Sequence, residues 1–160
     1  MKKTKPPPTK NQTPKKIVSI SGQDFAGISA REWSKLYESA LEVRENAHAP
    51  YSGFYVGASI LTQEGDIISG CNVENATFGA TVCAERTAIG NAVSMGFRRF
   101  KALCVITRLK EPAAPCGICR QVISEFCSDL PIMMANPQGE CRFFTLDELL
   151  PCQFSGSDIN

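Results

Sequence analysis

Hydrophobic and polar positions change period several times along the chain, and each change predicts an element. After Ser29, the residues Trp33, Leu36, Tyr37, Ala40 and Leu41 recur at helical spacing. Ser29 and Glu32 form an S-x-x-E capping box that should start this helix. Pro50 bounds it, with the end expected near residues 46–49. "FYVGASILT" then reads as a strand, "QEGD" as a turn and "IISGCNV" as the hairpin partner. "CAERTAIGNAVSMG" predicts a helix closed by Gly96, "ALCVIT" a short buried strand and "GICRQVISEF" another helix. "PIMMA" and "ECRFFTL" read as strands around an "NPQG" turn, and Thr145 with Glu148 repeats the capping-box spacing before "LDELL". The order α-β-β-α-β-α-β-β-α predicts an α/β fold, a mixed sheet with helices on both faces.

Upstream of Ser29 the pattern lapses. "KKTKPPPTKNQTPKK" has no apolar face, so residues 1–28 are expected to form a flexible basic extension and 29–160 a single domain. Six of the 17 basic residues lie in residues 1–16, leaving 11 against all 16 acidic residues in the remainder. The body is therefore mildly acidic, the reverse of a surface built to track a phosphate backbone. No apolar run approaches the ~20 residues that span a bilayer. "MKKTK" imitates the start of a signal peptide, but a proline-rich stretch follows where an apolar one is required. A cytoplasmic protein is expected, without membrane or nucleic-acid partners.

That compartment changes how the eight cysteines are read, favouring metal or catalytic use over a disulfide framework. Cys71, Cys104, Cys127, Cys141 and Cys152 lie in apolar or turn-like contexts and read as small buried hydrophobes or free thiols. Cys83 in "TVCAERTA" and Cys116 and Cys119 in "PCGICRQ" differ. A C-x-x-C pair alone also marks redox dithiols and structural zinc. Here each motif falls at a helix start, where the partial positive charge favours thiolate. Three protein ligands, rather than the four of a closed structural site, leave a position open on Zn²⁺. Glu85, two residues beyond Cys83, could approach that side as an acid/base group. Arg86 and Arg120 adjoin the motifs and are expected to donate hydrogen bonds to the sulfurs.

"CAE…PCGIC" is a three-cysteine form of the zinc deaminase signature. With "PYSGFYVGASI", "GCNVENATFGATVCAERTA", "PCGICRQVISEF" and "TLDELLP", the chain from Ser29 to Phe154 closely resembles cytidine deaminases of the short three-cysteine class. The resemblance implies a three-layer α-β-α sandwich around a five-stranded mixed sheet, assembled as a homotetramer. It implies one Zn²⁺ per chain on Cys83, Cys116 and Cys119, with Glu85 shuttling protons. It also implies that Asn72 and Glu74 hold the ribose and Phe54 lines the pyrimidine pocket. The backbone around Ala84 would contact the base, and Phe154 would help close a site built from neighbouring subunits. The expected activity is hydrolytic deamination of cytidine and 2′-deoxycytidine in pyrimidine salvage. Rival readings are a deaminase of a nucleoside antibiotic, a polynucleotide-editing deaminase, and a non-catalytic zinc module. Phe78 stands where similar sequences often have Tyr, and His48, the only histidine, reads as a helix-end residue rather than a ligand.

Overall fold

The computed structural model describes residues 18–19 and 23–159. Helix α1 (Ala30–Arg44) starts at the capping box: the Ser29 side chain accepts from the Glu32 N–H, and the Glu32 carboxylate accepts from the Ser29 N–H at 2.9 Å. It buries Trp33, Leu36 and Ala40. Strands β2 (Gly57–Thr62) and β3 (Ile67–Cys71) form the expected hairpin, turning at Gly65 with φ 97°. Helix α2 (Ala84–Ser94), strand β4 (Phe100–Ile106), helix α3 (Gly117–Ser124), strands β5 (Pro131–Ala135) and β6 (Glu140–Thr145) and helix α4 (Leu146–Leu149) follow. Gly96, with φ 100°, follows α2 as expected.

Strands β2 to β6 make the expected five-stranded mixed sheet, in which β4 and β5 run parallel and the other pairs antiparallel. A two-residue strand, β1 (Val18–Ser19), adds a sixth at the edge beside β6, giving the order β1-β6-β5-β4-β2-β3. Strand alternation divides the core into two layers. Ala102, Cys104 and Ile106 of β4 face Trp33 and Leu36 of α1, whereas Leu103 and Val105 join Ala88 and Ile89 of α2 and Ile123 of α3 on the other side. Fully burying a side chain such as Leu36 or Ile106 contributes about 1.5–3 kcal/mol.

The folded unit begins earlier than Ser29. Phe25 and Ile28 exchange backbone hydrogen bonds of 3.0 Å across a turn at Ala26 and Gly27, both with positive φ. Asp24 Oδ1 accepts from the Ala30 N–H at 2.7 Å, and the Phe25 ring lies 5.2 Å from Phe143. Phe25 and Ile28, unlike the residues of the lysine–proline run, are apolar and pack against the core layer of α1. The rest of the expected extension, residues 1–17 and 20–22, lies outside the described residues. Two further boundaries move inward. Helix α1 ends at Arg44, and β2 begins at Gly57 because the Val56 N–H is taken by a side chain, Asn72 Oδ1, at 2.8 Å.

Candidate metal centre and active site

Two helix starts converge at one end of the sheet. Cys83 is the N-cap of α2 and Cys116 the N-cap of α3, both with extended backbone. Cys119 follows in the first turn of α3 and is fully buried. Their three sulfurs all lie within 4.8 Å of one another, and the Cys83 and Cys116 sulfurs are 3.8 Å apart. Two thiolates bound at about 2.3 Å to one tetrahedral zinc stand about 3.8 Å apart, so this donor set fits the ion. The helix termini add partial positive charge where three thiolates would gather.

The thiols are already polarised. Hydrogen bonds from Cys119, then Cys116 and Arg86, hold the Cys83 thiol down at about 5 against the opposing effect of burial. The hydrogen bond with Cys83, and then burial, in turn push the Cys119 thiol up, so the proton stays on Cys119. Arg86 thus takes the expected place beside a sulfur, and its second terminal nitrogen donates to the Thr81 carbonyl at 2.7 Å. Arg120 does not. Its Nε donates to the Pro115 carbonyl at 2.8 Å and its Nη1 to the Leu149 carbonyl at 2.6 Å, tying α3 to α4. One residue along a helix is a rotation of about 100°, which turns Arg120 away from the face that carries Cys119.

A cavity of roughly 190 Å³ opens against Cys83 and Cys116. Phe54, Val56, Ala84, Val105 and Ala113 give it an apolar wall, with Thr107, Glu85 and Asn72 also on its lining. Glu85 is only 4% exposed, and burial, reinforced by the Cys83 charge, raises its carboxyl above the ordinary range. A buried carboxyl beside a thiolate cluster is able to take up and return a proton. The Arg108 guanidinium lies 5.9 Å from the centroid of the Phe54 ring.

Asn72 Nδ2 donates to the Phe54 carbonyl at 2.9 Å while its Oδ1 accepts from Val56, so the amide fixes the segment that carries Phe54 to the cavity. One N–H and one lone pair remain for a ligand. Glu74 is not in the lining of this cavity; bound to the loop at Tyr51 and Ser52, it lines a second pocket that meets the first at Thr81. Phe154 is 60% exposed, lies outside this cavity, and accepts from Gln121 Nε2 at 2.8 Å through its carbonyl. His48 sits beyond α1 in a bridge to Val73, apart from the thiols. Val105, Thr107 and Ala113 escaped sequence reasoning as cavity residues. Only the first two carried a signal, the period-two alternation of a strand that points both to one face.

Residues 31–134 match the family described as the cytidine and deoxycytidylate deaminase zinc-binding region. The chain belongs to this zinc-dependent cytidine deaminase family. A cytidine deaminase of Sporosarcina psychrophila is 46% identical over 127 residues, covering 79% of this chain and 93% of that protein. The crystal structure of a cytidine deaminase from Burkholderia pseudomallei shares 44% identity with a TM-score of 0.73, covering 76% of this chain and 98% of its own. A blasticidin-S deaminase of Bacillus cereus is 31% identical over 150 residues, covering 88% of this chain and 98% of that protein.

Proposed function

We propose that this chain catalyses the hydrolytic deamination of cytidine and 2′-deoxycytidine, giving the uridine product and ammonia. The observation that carries this reading is Glu85, buried at the wall of an apolar cavity beside three convergent thiols. Cys83, Cys116 and Cys119 hold one Zn²⁺, which supplies the Lewis acidity that activates water near neutral pH. Glu85 takes a proton from the attacking water and delivers it to N3 of the pyrimidine, which makes C4 electrophilic. The water oxygen adds at C4, and Glu85 then takes the remaining proton of that hydroxyl and passes it to the amino group, which leaves as ammonia as the C4 carbonyl forms. Neither a redox cofactor nor a covalent intermediate with the protein is required.

Phe54 and the apolar wall exclude water and hold the pyrimidine, while the backbone around Ala84 contacts its polar edge. Asn72 and Glu74 take the ribose, chiefly its 3′-hydroxyl, for which an amide and a carboxylate supply both donor and acceptor. Phe154 closes the site of a neighbouring subunit in a homotetramer. Support for self-association comes from large apolar side chains left open on the single chain, including Phe78 at 74% and Phe154 at 60% exposure. The reading places the enzyme in the cytoplasm, in pyrimidine salvage. Among the described residues, no helix is long and apolar enough to cross a membrane.

The relative that deaminates blasticidin-S keeps a nucleoside antibiotic as the second reading. A substrate panel separates the readings: cytidine, 2′-deoxycytidine, blasticidin-S and a short single-stranded oligonucleotide with an internal cytosine. Efficient turnover of the two nucleosides, with little of the antibiotic or oligonucleotide, is the expected result. A preference for the oligonucleotide would overturn the proposal, because a sugar held by its 3′-hydroxyl leaves no path for a continuing chain.

A further inference from the structure

Glu74 is placed by a loop 22 residues upstream of it. The N–H groups of Tyr51 and Ser52 donate to Glu74 Oε2 at 2.9 and 3.2 Å, and the Ser52 hydroxyl donates to Oε1. The same hydroxyl accepts from the Phe54 N–H at 2.9 Å. A serine hydroxyl has one proton to give, so this chain of bonds has a fixed direction, from Phe54 N–H through Ser52 to Glu74. Gly53 makes the loop possible, with φ 61° and its N–H bonded to the Ala49 carbonyl at 2.9 Å. Backbone N–H groups hold Oε2 whatever the side chains are. For Oε1 the Ser52 hydroxyl is the hydrogen-bond donor, and that oxygen keeps a lone pair for a ligand.

We infer that Ser52 is a positioning residue for substrate selection, orienting the sugar-side carboxylate of Glu74 toward the 3′-hydroxyl. The inference rests on the ribose contact proposed above for Glu74. Ser52 is exposed and outside the two core layers, so its hydroxyl is dispensable for the fold. Removing it frees Oε1 to turn into solvent and leaves the Phe54 N–H without its acceptor. A ligand hydroxyl then meets a carboxylate that is no longer preorganised. The loss therefore falls on recognition of the 3′-hydroxyl and on KM, ahead of the chemical step at Glu85.

The test compares wild type, Ser52→Ala and Ser52→Thr, each zinc-replete, on cytidine and on 3′-deoxycytidine. Ser52→Ala should lower kcat/KM for cytidine about tenfold, chiefly through KM, while changing 3′-deoxycytidine less than about threefold. Ser52→Thr keeps the hydroxyl at an exposed position and should restore most of the cytidine value. Zinc content and melting temperature should be unchanged in both variants. An equal loss on both nucleosides, no loss on either, or no recovery in Ser52→Thr would overturn the inference. The failure of the underlying reading looks different. Wild type would then treat the two nucleosides alike, and the ribose contact of Glu74 would fall together with the role of Ser52. If wild type discriminates and Ser52→Ala discriminates equally well, the inference alone is wrong.

Discussion

Gly70→Ala puts one methyl group where β3 meets α2. A Cβ at residue 70 would stand 2.3 Å from the Ala88 nitrogen, 2.8 Å from the Thr87 carbonyl carbon and 2.9 Å from the Ala88 Cα. All three obstructing atoms are backbone, so no side chain can swing away. The shortest contact falls about 1.1 Å below the 3.4 Å at which ordinary contact begins, and α2 must move off the sheet by a comparable distance. Overpacking of this kind costs typically ~1–3 kcal/mol, which for a domain of this size lowers Tm by roughly 2–12 °C. Cys83 and Glu85 ride at the start of α2, whereas Cys116 and Cys119 belong to the start of α3, which the added methyl does not touch. A shift near 1 Å therefore opens the 3.8 Å gap between Cys83 and Cys116 and misplaces Glu85. A misplacement of that size can cost about 10²-fold in turnover. Thermal unfolding, zinc content and kcat on cytidine read the three effects separately. Gly90→Ala is the control on the same helix, since a Cβ there meets nothing within 4 Å. A Gly70→Ala protein with wild-type Tm, zinc and kcat would refute the claim that this close approach holds the site in register.

Cys116→Ala removes a ligand and should lose zinc and thermal stability together, read by metal analysis and unfolding. A stable variant retaining one zinc per chain would exclude Cys116 from the site. In the metal-free protein the depressed Cys83 pKa keeps its charge, and the stabilisation that goes with it, until pH falls through about 5. The contribution is fully present only above the ordinary thiol value of ~8.5 and declines between the two. Alkylation of Cys83, mapped by mass spectrometry, should accordingly change little from about pH 8 to about pH 6, then fall steeply below about pH 5. A tenfold fall per unit from about pH 8 downward would contradict the assignment, as would failure of added zinc to protect this thiol.

Local signals in the sequence located the helices because their causes are local. The Ser29–Glu32 and Thr145–Glu148 boxes both form, and the apolar stripe of α1 faces the sheet as its spacing requires. The metal centre was legible for a related reason. Cys83 and Cys116 each sit at a helix start, so two short motifs carry most of the geometry. What the sequence concealed depends on pairing between distant segments. Asn72 grips Phe54 and Val56 across 18 and 16 residues, and Glu74 reaches back 22 to Ser52, neither of which any periodicity encodes. Arg120 misled because adjacency along a chain was read as adjacency to a sulfur, while the helix turns it toward the Leu149 carbonyl. The β1 edge strand pairs with β6 more than 120 residues away, so nothing near Val18 announces it.

The central claim is that Glu85 moves the proton without holding the metal, and one comparison tests both halves. Wild type and Glu85→Gln are purified zinc-replete, their metal content is measured, and uridine formation from cytidine is followed at saturating substrate. Replacing the buried carboxyl by an amide of the same shape leaves the thiols and the cavity wall in place. The account predicts one zinc per chain in both proteins, active wild type, and at least a ~10²-fold loss of kcat in Glu85→Gln. A zinc-loaded Glu85→Gln enzyme turning over at a rate close to wild type would contradict it.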